Sequence, residues 1–166
     1  DFIMRISQIY KTGFFAKKIL LIEGASDLIV CKSLVQKLDL NIDVAGSQII
    51  PVEGKGQFPV ITKLFRLINK EVFVMKPIQD FRYSKNDVVT HDGISIKGLA
   101  VDDPFEIYEI INDSQCDVLA IDEVQFFGWD FIEIANDLAD KGIQLLVAGL
   151  DSDFTGRPFS IMPDLM

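Results

Sequence analysis

Apolar and polar positions follow two periods along this chain, and the switch between them marks out the elements. "KKILLIEG" is a nearly continuous apolar run of strand length that closes in a turn, so it predicts a buried strand. "ASDLIVCKSLVQKLDL" then carries Leu28, Cys31, Leu34, Val35 and Leu38 at helical spacing and predicts a helix with one apolar face. "SQIIPVEG" predicts a second strand, and "FPVITKLFRLINK" a helix with Pro59 accommodated in its first turn. "EVFVMKP" predicts a third strand, and "FIMRISQIY" at the start has the spacing of a short helix. The resulting β-α-β-α-β order is that of a parallel sheet with crossover helices.

The period then changes. "DVVTHDGISIKGLAV" holds two alternating stretches, 88–90 and 94–97, around an Asp-Gly turn, which is a hairpin signal. "DPFEIYEIIND" predicts a short helix capped by Asp103 with Pro104 at its first position. "CDVLAIDE" and "IQLLVAGLD" predict core strands. Between them "DFIEIANDLADKG" predicts an amphipathic helix closed by Gly142. The predicted fold class is α/β: a mostly parallel sheet with flanking helices and a β-hairpin insertion around residues 88–101.

Composition narrows the function classes. The chain has 166 residues, 49% of them hydrophobic and 25% charged, enough for a real core in about one domain. A net charge of -9 argues against broad, sequence-independent binding to duplex DNA and leaves room only for a local basic patch. Cys31 and Cys116 both lie in apolar runs and read as buried thiols in a reducing compartment. No apolar stretch is long enough to span a bilayer and no signal peptide is visible, so a cytoplasmic protein without a membrane partner is expected. The lone histidine, His91, falls in the hairpin turn and reads as exposed. Lys17, Lys18 and "TKLFRLINK" read as a solvated basic face. The chain starts at "DFIM" and stops at "PDLM", mid-pattern at both ends, and reads as a fragment.

The sharpest chemistry is in "DVLAIDEVQFF". Four apolar residues are followed at once by Asp122 and Glu123. The carboxyl ends of parallel strands face the ligand crevice. Adjacent carboxylates there suit two tasks: holding Mg²⁺ on a nucleoside triphosphate, and accepting a proton from an attacking hydroxyl. The plainer reading is a helix cap or a surface ion pair. Phe126, Phe127, Phe154 and Phe159 flank this strand and the next, where ring faces suit a flat base; core packing is the ordinary alternative.

"VFVMKPIQDFRYSKNDVVTHDG", "VLAIDEVQFF" and "VAGLDSDFTGRPFSIMPDLM" together resemble the type II thymidine kinases, from about Val72 to Met166. The resemblance implies a P-loop-kinase-like part that uses ATP and Mg²⁺ to phosphorylate deoxythymidine in nucleoside salvage, as a homo-oligomer, a tetramer in that family. It implies Asp122 at the metal, Glu123 as the base, and Phe126, Phe154 and Phe159 around the thymine. It also puts Asp80 and Arg82 near the phosphates. The family's phosphate loop ends in GK[ST], and no such triplet occurs here. Lys55 stands close to the family's distance from "KP", but Gly56 follows it in place of a hydroxyl residue and the glycine spacing differs; the missing phosphate loop and lasso predict weak or absent turnover. The chain stops before the family's zinc ribbon and lasso, so structural zinc is not expected.

The segment from about Phe14 to Lys70 resembles something else. "FFAKKILLIEGASDLIVCKSLVQKLDL" and "IIPVEGKGQFPVITKLFRLI" are similar to the Toprim domain of overcoming-lysogenization-defect nucleases. That resemblance puts Glu23, Asp27 and Lys55 on the site positions of a metal-dependent nuclease, the two carboxylates at the metal, with nucleic acid as partner only under this alternative. The family's next strand ends in an Asp-x-Asp pair; here it is "VFVMKP", without carboxylates. The expected organisation is therefore a Toprim-like segment over 1–70 joined to a thymidine-kinase-like segment over 71–166.

Overall fold

The computed structural model describes residues 13–22, 24–37, 39, 41–42, 44, 46–52, 57–67, 69–78, 87–89, 95–112, 114–150 and 152–165. The expected helix in "FIMRISQIY", the hairpin turn with His91, and the candidate residues Glu23, Lys55, Asp80 and Arg82 lie outside them.

In chain order the elements are β1 (Lys18–Ile22), α1 (Ala25–Lys37), β2 (Ser47–Pro51), α2 (Gln57–Leu67), β3 (Val72–Pro77), β4 (Asp87–Val89), β5 (Ser95–Lys97) and β6 (Leu99–Val101). They continue with α3 (Glu106–Asn112), β7 (Val118–Ile121), a 3₁₀ turn (Val124–Phe126), α4 (Asp130–Asp140), β8 (Gln144–Ala148) and a final 3₁₀ turn (Met162–Leu165). Six strands form one parallel sheet in the order β2-β1-β8-β7-β3-β6. Strands from residues 18–51 and from residues 72–148 thus share one sheet, with β1 hydrogen-bonded to β2 on one side and β8 on the other.

Strand alternation divides the core into two layers. Leu20 and Ile22 of β1, Met75 of β3 and Leu119 and Ile121 of β7 pack with Cys31 of α1, Ile107 and Ile111 of α3, and Phe131, Ile134 and Leu138 of α4. Ile19 and Leu21, Val72 and Val74, and Val118 and Ala120 face the other way, onto Phe58, Ile61 and Phe65 of α2. All four residues of β7 are completely buried. Sliding β7 by one residue would drive the Asp122 carboxylate into that core, at several kcal/mol. Burial of the strand therefore fixes where the acidic pair emerges.

β4 and β5 pair antiparallel, Val88 opposite Ile96, as the hairpin signal predicts. The insertion is shorter than the expected 88–101, however. Leu99–Val101 leaves the hairpin and extends the main sheet beside β3, with Val101 fully buried in the core.

Helix α1 is described to Lys37; Leu38 and Leu40, at the end of the helical run read from the sequence, lie outside the described residues. At α3, Asp103 Oδ1 accepts from Phe105 N at 2.9 Å and Glu106 Oε1 accepts from Asp103 N at 3.3 Å, a reciprocal cap. Gly142, at φ 90°, carries the chain out of α4 into β8. Cys31 is buried; Cys116 is half-buried, and burial pushes its thiol up to about 11. No helix among the described residues is long and apolar enough to cross a membrane.

Candidate active site

The site begins where β7 stops. Asp122 N donates to Met75 O at 3.1 Å, so the ladder with β3 runs one step past the strand. Asp122 Oδ1 then accepts from Glu123 N at 3.0 Å. Glu123 adopts the left-handed conformation, φ 53° and ψ 38°, which costs a non-glycine residue roughly 1–2 kcal/mol. This single residue turns the chain sharply into the 3₁₀ turn, where Phe126 N donates back to Glu123 O at 3.1 Å. Strain of this kind concentrates at functional sites, where the surroundings hold it in place.

That turn buries Glu123 to 8% exposure while Asp122 stays half-buried. Gln125, at 2% exposure, donates from Nε2 to Glu123 Oε2 at 2.6 Å, and its Oε1 accepts from Leu150 N at 3.2 Å. A buried amide is thus satisfied at both ends, across the tips of β7 and β8.

Asp122 and Glu123 line a cleft together with Leu21 and Ile22 of β1, Val52 after β2, Phe58 of α2, and Ala148, Gly149 and Leu150 at the end of β8. The cleft is partly open to solvent, with about 380 Å³ of free space counted out into the solvent. It lies at the carboxyl edge of four adjacent strands, where open α/β sheets bind ligands. Lys76, buried at 2%, follows Met75 in β3. The Met75–Ile121 pairing, carried one residue on, puts Lys76 level with Asp122.

Beyond β8 the chain forms a tight loop closed by a bridge between Ser152 and Pro158. Asp153 Oδ1 accepts from Thr155 Oγ1 at 2.6 Å, Thr155 N at 2.7 Å and Arg157 N at 3.1 Å. These bonds, the Thr155 hydroxyl's first, hold the Asp153 carboxyl below the usual range. Phe154 stands at the loop's tip, fully exposed. Phe159, just past the loop, meets Phe126 edge to face, with centroids 5.9 Å apart. Phe127 stacks on Phe131 at 5.1 Å inside the core.

Two family models match the chain. The thymidine kinase model matches residues 54–166, about two-thirds of it. This chain belongs to the thymidine kinase family. The Toprim domain model of overcoming lysogenization defect-like proteins matches residues 14–76, so both matches cover 54–76. The thymidine kinase match starts at Gly54, earlier than the resemblance from about Val72, and takes in Lys55, Gly56 and helix α2.

Of the residues the kinase resemblance singles out, the thymidine kinase fold brings Asp122 and Glu123 to one cleft and Phe126 against Phe159. Phe154 stands apart from that aromatic pair, in solvent. Asp27, from the Toprim resemblance, is half-buried in the first turn of α1. Glu23, Lys55, Asp80 and Arg82 lie outside the described residues. The sequence reading passed over Gln125, Gly149 and Lys76. The signal for Gln125 was a lone amide inside the otherwise apolar "VQFF": once buried, it needs partners.

Proposed function

We propose that this thymidine kinase family chain transfers the γ-phosphoryl group of ATP to the 5′-hydroxyl of deoxythymidine. The observation that carries the reading is the Asp122–Glu123 pair, set at the end of a fully buried parallel strand and lining the carboxyl-edge cleft. Glu123 accepts the proton of the 5′-hydroxyl as that oxygen bonds to the γ-phosphorus, and ADP departs with the electrons of the broken P–O bond. Asp122 would hold Mg²⁺. The donor chemistry fits, because Mg²⁺ takes hard oxygens and is commonly bound by one or two carboxylates with phosphate oxygens and water. It therefore does not require a cluster of three protein ligands, and the described residues contain none. When bound, Mg²⁺ neutralises charge developing on the phosphates.

Phe126, Phe154 and Phe159 are proposed for the thymine, and Asp80 and Arg82 for the phosphates. The same reading carries a homo-oligomer, a cytoplasmic place in nucleoside salvage, and a division into segments 1–70 and 71–166. Calorimetry with thymidine tests the base site. Phe126→Ala and Phe159→Ala should each weaken binding about fivefold to a hundredfold, the range for a base–aromatic contact worth ~1–3 kcal/mol. Thymidine binding no tighter than cytidine would count against the reading.

The Toprim match over 14–76 favours a second reading, a metal-dependent nuclease segment using Glu23, Asp27 and Lys55. Its test is nicking of supercoiled plasmid in Mg²⁺ or Mn²⁺, lost in Glu23→Ala; no nicking in either metal excludes it.

A further inference from the structure

We propose that Gln125 is the positioning residue for the Glu123 carboxylate, tying it to the backbone at the tip of β8. The inference rests on the phosphotransferase reading for its chemical meaning; the contact itself stands on geometry. A carboxylate needs a donor and a backbone N–H needs an acceptor. Only one orientation of the Gln125 amide serves both: Nε2 toward Glu123 Oε2 at 2.6 Å, and Oε1 toward Leu150 N at 3.2 Å. The first bond is charge-assisted when Glu123 is ionised, and so the stronger of the two.

Gly149 makes room for this bridge. A Cβ on that residue would lie 2.5 Å from Gln125 Oε1, and 3.1 Å from both Met162 Sδ and Val124 Cγ1. Glu123 is left-handed and buried, a conformation that its neighbours must hold. The amide supplies part of that hold. It also joins the acidic strand end to the segment that continues into the Asp153 loop, because Glu123, Gly149 and Leu150 all line the same cleft. A proton acceptor must be held close to its productive geometry, and small misplacements cost rate more than binding.

Hydrogen exchange on the isotopically labelled chain tests the bridge without requiring turnover. In the wild-type chain the Gln125 side-chain NH₂ and the Leu150 amide should both be protected. Glu123→Ala should speed exchange of the Gln125 NH₂ at least tenfold. Gln125→Met, similar in size but without either hydrogen-bonding group, should do the same to Leu150. Unprotected groups in the wild type, or rates unchanged in the variants, overturn the assignment. Kinetics separates positioning from mere packing. Gln125→Met should lower kcat for thymidine at least tenfold and leave its KM within twofold; a change in KM alone overturns positioning. If the wild type shows no turnover, the phosphotransferase reading fails, and exchange alone decides the Gln125 contact. Should Gln125→Met fail to fold, Gly149→Ala displaces the same oxygen and carries the same measurements.

Discussion

Gly149→Ala is the smallest change that reaches the acidic pair without touching it. Gly149 does not need glycine's backbone freedom, since its φ is not among the positive values of this chain. Any effect is therefore steric. The added methyl meets Met162 Sδ and Val124 Cγ1 at 3.1 Å, contacts that relax by a few tenths of an ångström. Gln125 Oε1 at 2.5 Å has no such freedom, because the amide is buried and bonded at both ends. To clear the methyl it must loosen its bonds to Glu123 and Leu150. A bond to a charged group contributes about 1.5–3 kcal/mol and a neutral one about 0.5–1.5. Alanine's smaller unfolded-state entropy offsets about 0.4–1 kcal/mol. With the bonds strained rather than lost outright, the net destabilisation should be about 2 kcal/mol. That corresponds to roughly 4–8 °C in Tm for a domain of this size. Urea unfolding with an unchanged m-value is the assay. In a Gln125→Ala background the obstructing oxygen is gone, and the cost of Gly149→Ala should fall by at least ~1 kcal/mol. A single variant within ~0.5 kcal/mol of wild type, or a cost that persists in full in that background, refutes the argument.

Two further expectations come from individual titrating groups. The Cys116 thiol, pushed from 9.0 to about 11 mainly by burial, should carry about a hundredfold less thiolate near neutral pH. Iodoacetamide at pH 8 should label it about a hundredfold more slowly than a peptide thiol, and peptide-like labelling contradicts this. The Asp153 carboxyl is depressed in the folded chain, so its contribution to loop order is complete above the unfolded value of about 3.9 and is lost as pH falls through the lower folded one. The Thr155 amide resonance, followed from pH 6 to 2, should move in a single step below about 3.9; a step at or above that value would show that the loop does not hold the carboxylate.

The parts of this fold that could be read from sequence are those whose signal is local. "VLAIDE" places both the end of β7 and the acidic pair, because an apolar run that stops at two carboxylates can hardly be buried in another register. The capping residues before α3 and the glycine after α4 work over three or four residues and were equally legible. Reading failed where the partner is distant. "GLAV" looks like the continuation of a hairpin until Val101 is seen packed in the main core beside β3, more than twenty residues earlier in the chain. Phe126 and Phe127 are adjacent and chemically identical. Only the left-handed Glu123 and the 3₁₀ turn after it send one toward Phe159 and the other into the core. Gln125 meets Leu150 across 25 residues, and no spacing rule connects the two. Gly149 looks like an ordinary turn glycine, and its role is to leave space for that amide.

Formation of thymidine monophosphate from γ-labelled ATP and thymidine in Mg²⁺, with wild type and Glu123→Gln side by side, tests the central claim most directly. The substitution keeps the shape at Glu123 and removes the proton acceptor. The account expects slow transfer by the wild type, because the GK[ST] triplet of the family's phosphate loop occurs nowhere in the chain. It expects a further loss of about a hundredfold or more in Glu123→Gln, the usual contribution of a general base. No transfer by the wild type, or equal transfer by the two, would contradict it.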